Sequence, residues 1–201
     1  MGLNIHQSLK RKEHIISNKR SMIKTITTRL NALKRLAVNA SFKTKLMVAN
    51  SCFMSIIIYM VSVWGGTEDY IVKAVQVMQN KAARCVTKQS WFTPTKLLLL
   101  QCNWLSIKQL VFFHTALQVW RVKASKCPVY IDTNLKPTNT RSAAQGNLRV
   151  PVVEKSLSSN SFMVRSAVTW NSVPADIRSC KKLGAFKKRL KQWVGENVEI
   201  V

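Results

Sequence analysis

The chain has 201 residues, room for one good-sized domain or one domain with a small appendage. Hydrophobic residues make up 47% of it, enough to build a core, which excludes wholesale disorder. Thirty-two Lys and Arg stand against eight Asp and Glu, and the net charge of +24 calls for a polyanionic partner, either nucleic acid or an anionic membrane surface.

Met1 to Lys12 is polar and basic, with no apolar core or small-residue cleavage site after it, so it does not read as a signal peptide. The five cysteines, Cys52, Cys85, Cys102, Cys127 and Cys180, are odd in number and form no C-x-x-C pair. They read as reduced thiols in a reducing compartment, which predicts an intracellular protein, with the nucleus a candidate location. His6, His14 and His114 stand at no ligand spacing to a cysteine, so neither a zinc site nor any other metal or cofactor is predicted.

The charge is uneven along the chain. Residues 1–45 carry eleven Lys and Arg and one acid, residues 46–67 carry no charge, and residues 181–201 carry six Lys and Arg and two acids. In 14–39, Ile15, Ile16, Met22, Ile23, Ile26, Leu30, Leu33 and Ala37 recur at helical spacing. Lys19, Lys24, Arg29, Lys34 and Arg35 mostly lie off that stripe. Ser41 is a fitting N-cap for a second helix running to Trp64, ended by Gly65-Gly66. Thr67 is expected to cap a third helix, with Glu68 and Asp69 in its first turn, where the dipole favours acids. That helix carries Ile71, Ala74, Val75, Met78, Ala82 and Cys85 on one stripe, with Lys73, Lys81, Arg84 and Lys88 off it.

Thr93-Pro94 predicts a short leucine-rich helix with proline at its first position. Ser106 predicts the cap of a fifth helix through Ala124. Cys127-Pro128 breaks the pattern, and 133–147 reads as a loop. Leu148–Val153 and Phe162–Val164 predict two short strands joined by a turn at Ser158-Ser159-Asn160. A helical turn over Ser166–Asn171 follows. Residues 183–194 predict a basic amphipathic helix with Leu183, Phe186, Leu190 and Trp193 or Val194 on its apolar face.

The uncharged run has two readings. About 20 apolar residues can span a bilayer, and Leu46–Trp64 holds no charge to oppose insertion. The favoured reading is a buried central helix of a bundle, because the run contains Asn50, Ser51, Ser55, Tyr59 and Ser62 and has amphipathic neighbours that need a packing partner.

The acids offer little chemistry. Glu68-Asp69 is the only adjacent pair and reads as helix N-terminal acids; Asp132, Glu154 and Asp176 stand alone, and Glu196 and Glu199 lie in a polar tail. Gly65-Gly66 lacks the third glycine and the Lys-Ser/Thr pair of a phosphate loop. His114, beside Phe112 and Phe113, reads as a core histidine rather than a base.

Several short motifs stand in order along the chain. Tyr59 with Trp64-Gly65 is one. Gln79, Lys81, Ala82 and Arg84 form the next, then Leu105 with Ile107, and Thr140-Arg141. Trp170, Asn171 and Pro174 follow, then Ile177-Arg178, and last Phe186, Lys187 and Leu190. In this order they resemble the C-terminal end of reverse transcriptases from non-LTR (LINE, jockey-like) retrotransposons. The resemblance implies the thumb and downstream region of an RNA-directed DNA polymerase. The family's aromatic-x-Asp-Asp box, which holds two metal ions for phosphoryl transfer, is missing, so this chain alone is not expected to be an enzyme.

The expected fold is mainly α: a basic segment over 1–13, a helical bundle over 14–125, and a small α+β segment over 126–201 with a short β-hairpin. The expected partner is RNA or an RNA–DNA or DNA duplex, gripped through phosphates with little sequence preference. Residues expected to bind it are Lys19, Lys24, Arg29, Lys34, Arg35, Lys81, Arg84, Arg141, Arg178, Lys187, Lys188, Arg189 and Lys191, the arginines because guanidinium suits phosphate. Tyr59, Trp64, Gly65, Gln79, Trp170, Asn171, Pro174, Phe186 and Leu190 read as structural motif residues. Alternatives are a membrane-anchored basic protein using 46–66 as its span and a metal-dependent nuclease of unrecognised type.

Overall fold

The computed structural model describes residues 15–16, 21–125, 128–138, 146–153 and 160–198. Lys19, Thr140, Arg141, Cys127, the 1–13 segment and most of the expected 158–160 turn lie outside the described residues. The fold is mainly α, and it divides into two compact units, one running to Leu110 and the other beginning at Val111.

In the first unit, α1 covers Met22–Leu36. It starts where Ser21 accepts a hydrogen bond from the Lys24 amide at 3.4 Å, the expected geometry of a serine cap. Met22, Ile26, Leu30 and Leu33 are buried, the stripe that the 3.6-residue period requires. Lys34 and Arg35 sit in the last turn, where cations complement the helix dipole.

Ser41 caps α2 (Phe42–Val48), accepting from the Thr44 amide at 3.3 Å. The uncharged run then departs from the single helix expected. A π-helical stretch over Ala49–Met54 leads into α3 (Ser55–Ile58), the chain breaks at Tyr59–Met60, and α4 covers Val61–Trp64. Ser51 and Ser55 bond back to the carbonyls of Met47 and Ser51, which competes with regular helix geometry. At the break Met60 takes a left-handed conformation, φ 53°. The buried Trp64 indole donates to the carbonyls of Ile57 (3.2 Å) and Tyr59 (3.1 Å), and so satisfies backbone at the break. Nor is the run apolar all round: Ala49, Phe53, Ile57 and Val61 are buried, whereas Asn50, Ser51, Cys52 and Ser55 are exposed. Among the described residues no helix is long and apolar enough to cross a membrane.

Helix α5 (Asp69–Thr87) packs against α1, α2 and α6 (Thr95–Gln101). Its cap is Glu68, not Thr67; the Thr67 hydroxyl oxygen is buried without a partner among the described residues. Pro94 is likewise the residue before α6 rather than its first, with extended backbone at ψ 138°. Helix α7 covers Ile107–Ser125 and opens on a capping box: the Gln109 amide donates to Ser106 Oγ (3.3 Å), and the Ser106 amide donates to Gln109 Oε1 (2.9 Å).

Buried amides fasten this unit. Gln79 donates to the Leu105 carbonyl at 2.8 Å and accepts from Gln76 at 2.9 Å. Gln76 in turn accepts from the Ile107 amide at 2.8 Å. The apolar stripe expected on α5 is thus partly replaced by glutamines: Gln76 and Gln79 are buried, while Met78 and Cys85 are half-exposed.

The second unit takes in most of α7, so the boundary falls at Leu110 rather than after residue 125. The reason is aromatic packing. Trp120 of α7 stacks on Phe186 with centroids 5.6 Å apart, and Trp170 lies on the same ring at 6.2 Å. The unit adds α8 (Val129–Asn134), α9 (Phe162–Ser172), α10 (Ala175–Arg178) and α11 (Leu183–Asn197). The expected hairpin is not formed. Ser161 caps α9 by accepting from the Val164 amide, and Phe162–Val164 becomes its first turn. Among the described residues the only β contact is a single bridge between Pro137 and Leu148.

Two measurements test these supports. Ile57 is fully buried, and Ile57→Asp should unfold the first unit, because an unpaired buried charge costs several kcal/mol. Gln79→Ala strands the Leu105 carbonyl and should lower unfolding free energy by about 1–3 kcal/mol. Urea melts followed by circular dichroism check both.

Candidate nucleic-acid interface

The C-terminal turn of α1 and the C-terminal half of α5 enclose an open cleft of about 570 Å³. Lys34, Ala37 and Val38 line one side; Lys81, Arg84, Cys85, Lys88 and Gln89 line the other, with Trp91 beside them. Four cationic residues line the cleft and, among the described residues, no acidic one does, although most of the lining surface is apolar. Two helix C-termini meet there, each carrying about half a negative charge, and together they offset roughly one of the four positive charges. The charge around the cleft is therefore net positive.

Local sequence explains how each group is placed. Lys34 lies on the exposed face of α1, one residue past the buried Leu33. Lys81, Arg84 and Lys88 recur at helical spacing on α5, off its buried face. Lys88 closes the helix in a left-handed conformation, φ 55°, which turns the chain into the Ser90–Thr93 turn. The Thr93 amide donates to the Ser90 carbonyl at 3.2 Å, setting Trp91 and Phe92 at the tip of the turn. Arg84 holds that turn, donating from Nη2 to the carbonyls of Trp91 (3.2 Å) and Thr93 (3.5 Å). Its guanidinium carbon lies 4.8 Å from the Trp91 ring centroid, a cation–π contact. Arg84 Nε is buried with no partner among the described residues.

Cys85 lines the same cleft. Burial raises its pKa, opposed by the positive charges of Lys45 and Lys34. Cys102 is buried, and its pKa is pushed up to about 11. Both stay thiols at neutral pH, which disfavours nucleophilic chemistry at either. Among the described residues no three His, Cys, Asp or Glu side chains converge.

Of the sequence-predicted cations, the structure brings Lys34, Lys81 and Arg84 together. Lys24, Arg29 and Arg35 are exposed on α1 outside the cleft. In the second unit, Lys188 and Arg189 are exposed on α11 and Lys187 and Lys191 half-exposed, opposite the buried Phe186, Leu190 and Val194. Arg178 has a different occupation. Its Nη1 donates to Asn147 Oδ1 at 2.6 Å, and burial lowers its pKa.

Arg178 belongs to a clamp on the 146–148 segment. The Asn171 side chain accepts from the Leu148 amide and donates to the Leu148 carbonyl, both at 2.8 Å. The Trp170 indole donates to the Gly146 carbonyl at 3.1 Å. Trp170, Asn171 and Arg178 thus act on one loop, and Pro174 immediately precedes the short α10 that carries Arg178. The sequence reading missed Lys88 and Trp91 as cleft residues. A signal was present: an aromatic pair in a polar turn between Lys88 and Lys96, the interleaving that stacking platforms use.

His114 sits edge-on to Phe113, ring centroids 5.2 Å apart. Burial, then the charges of Arg121 and Lys187, push its pKa down to about 4. In the unfolded chain it would titrate near the ordinary value of 6.5. Between those values the unfolded state binds more protons than the folded state, so stability falls as pH drops from 6.5 towards 4. At about 1.4 kcal/mol per pH unit the full loss is of order 3 kcal/mol. Denaturant melts at pH 7, 6 and 5 should show this decline, and His114→Gln should flatten it.

No family model, curated protein or solved structure matches the chain.

Proposed function

We propose that the chain is a non-catalytic nucleic-acid-binding piece, in character like the C-terminal grip of a LINE-type reverse transcriptase. The observation that supports this reading most is the cleft itself: Lys34, Lys81, Arg84 and Lys88 gather around one concave surface with no acid among them. Multiple cations on a concave surface suit a phosphate backbone. The wider distribution of charge agrees, since Lys24, Arg29 and Arg35 extend the exposed basic face of α1 and Lys188 and Arg189 mark the outer face of α11. A grip of this kind acts through phosphates and tolerates any sequence. Catalysis is not part of the proposal, because the chain carries no aromatic-x-Asp-Asp box to hold metal ions.

Binding to duplex should weaken steeply with salt. If about six phosphates are neutralised, log K should fall against log[salt] with a slope near −5. Changing Lys34, Lys81 and Lys88 together to Gln should reduce the slope by about two to three units. Changing Lys187, Lys188, Arg189 and Lys191 to Gln should reduce it by about three to four units if all four touch phosphates. Fluorescence anisotropy at several salt concentrations measures all three proteins. A wild-type slope near zero defeats the proposal.

A further inference from the structure

We propose that the cleft of the first unit takes one unpaired nucleotide of a single strand. Its base stacks on Trp91, and its phosphate is held by Lys34, Lys81 and Lys88. This inference rests on the nucleic-acid reading and adds the ligand class. Trp91 is 69% exposed and Phe92 is 92% exposed, unusual for residues that normally bury their rings. Trp91 is nevertheless not loose. Its carbonyl is bonded by Arg84, the same guanidinium lies over its ring, and the Ser90–Thr93 turn is closed by a backbone hydrogen bond. A held aromatic ring with accessible surface is a preorganised stacking platform, costing little ordering on binding.

Size and charge agree with that ligand. A cleft of about 570 Å³ lies within the usual range of small-ligand sites, about 300–1,000 Å³, and suits a nucleotide. Its lining combines an apolar floor, with Ala37, Val38 and Cys85, an exposed indole, and four cationic side chains, groups that can meet a base and a phosphate. The bases of an intact duplex are stacked on each other and offer Trp91 no face. A single strand or an extruded base does. An anionic bilayer would also attract cations beside aromatics. Trp91 and Phe92 do stand at the tip of the turn, but the Trp91 ring also lines the cleft against Arg84, which favours a ligand held between the ring and the lysines.

The test uses the full chain and three labelled 12-mers at fixed salt: a single strand, an abasic strand of equal charge, and a duplex. The wild type should bind the single strand about ten-fold more tightly than the abasic strand, within the range expected for one base on an aromatic ring. Trp91→Ala should abolish that preference and leave duplex affinity within about two-fold. Trp91→Phe should retain part of the preference, and the variants' urea midpoints should match the wild type. If Trp91→Ala leaves the ratio of single strand to abasic strand unchanged, the stacking site is wrong while the phosphate grip stands. If the wild type binds none of the three, both fall. If Trp91→Ala instead abolishes binding to phosphatidylcholine vesicles containing 30% phosphatidylserine without altering strand binding, the turn is a membrane contact and the inference is overturned.

Discussion

The first unit depends on a pair of buried amides. Gln76 and Gln79 face the interior of α5, where the helical period would place apolar residues, and between them they satisfy the Leu105 carbonyl and the Ile107 amide. These two backbone groups lie where the chain leaves α6 and enters α7. A buried, unpaired amide or carbonyl costs about 1–3 kcal/mol. The glutamines therefore fix this connection more sharply than an apolar stripe would, since hydrophobic contact tolerates sliding and hydrogen bonding does not. Gln76 also donates to Asn80, which donates to Thr95 Oγ1 at the start of α6, so the polar path continues from α5 to α6. Lys81 and Arg84 belong to the same helix, off its buried face, and are held in place by its packing.

The second unit solves a related problem with a different residue set. The 146–148 segment pairs through backbone only at the single bridge to 136–138, where the Asn147 carbonyl accepts from the Thr138 amide, and side chains of α9 bond its other backbone groups. Asn171 mimics a strand partner by pairing with both backbone groups of Leu148. Trp170 bonds the same segment through its indole and packs on Phe186 with its ring, so one residue joins loop and core. Lys123 Nζ lies 5.5 Å from the same ring centroid. The polar and aromatic contacts explain why a loop without regular structure keeps Leu148 buried.

Positive charge runs through both units. Concentrated like charge opposes compaction, and the described structure meets this by placing most cations on exposed helix faces. Lys45 is the exception. It is 2% exposed on α2, and its charge reaches Cys85 in the cleft. The remaining cations around that cleft are compensated only in part by the two helix ends, which leaves a surface suited to an anion.

The sequence by itself determined the helical class, the caps at Ser41 and Ser106, and the buried faces of α1 and α11. These features are local: a serine two or three residues before an amide, or apolar residues at 3.6-residue spacing, act within a few residues. It did not determine the breaks in the uncharged run, because composition reports hydrophobicity and not where serine back-bonding and a tryptophan indole let the helix unwind. It misread Phe162–Val164 as a strand, since three apolar residues fit either period and the Ser161 cap decided between them. It also separated Lys34 from Lys81, Arg84 and Lys88 by 47 to 54 residues. Only packing of α1 against α5 gathers them, and only the turn held by Arg84 sets Trp91 among them, because a site made of two helix ends exists nowhere along the chain.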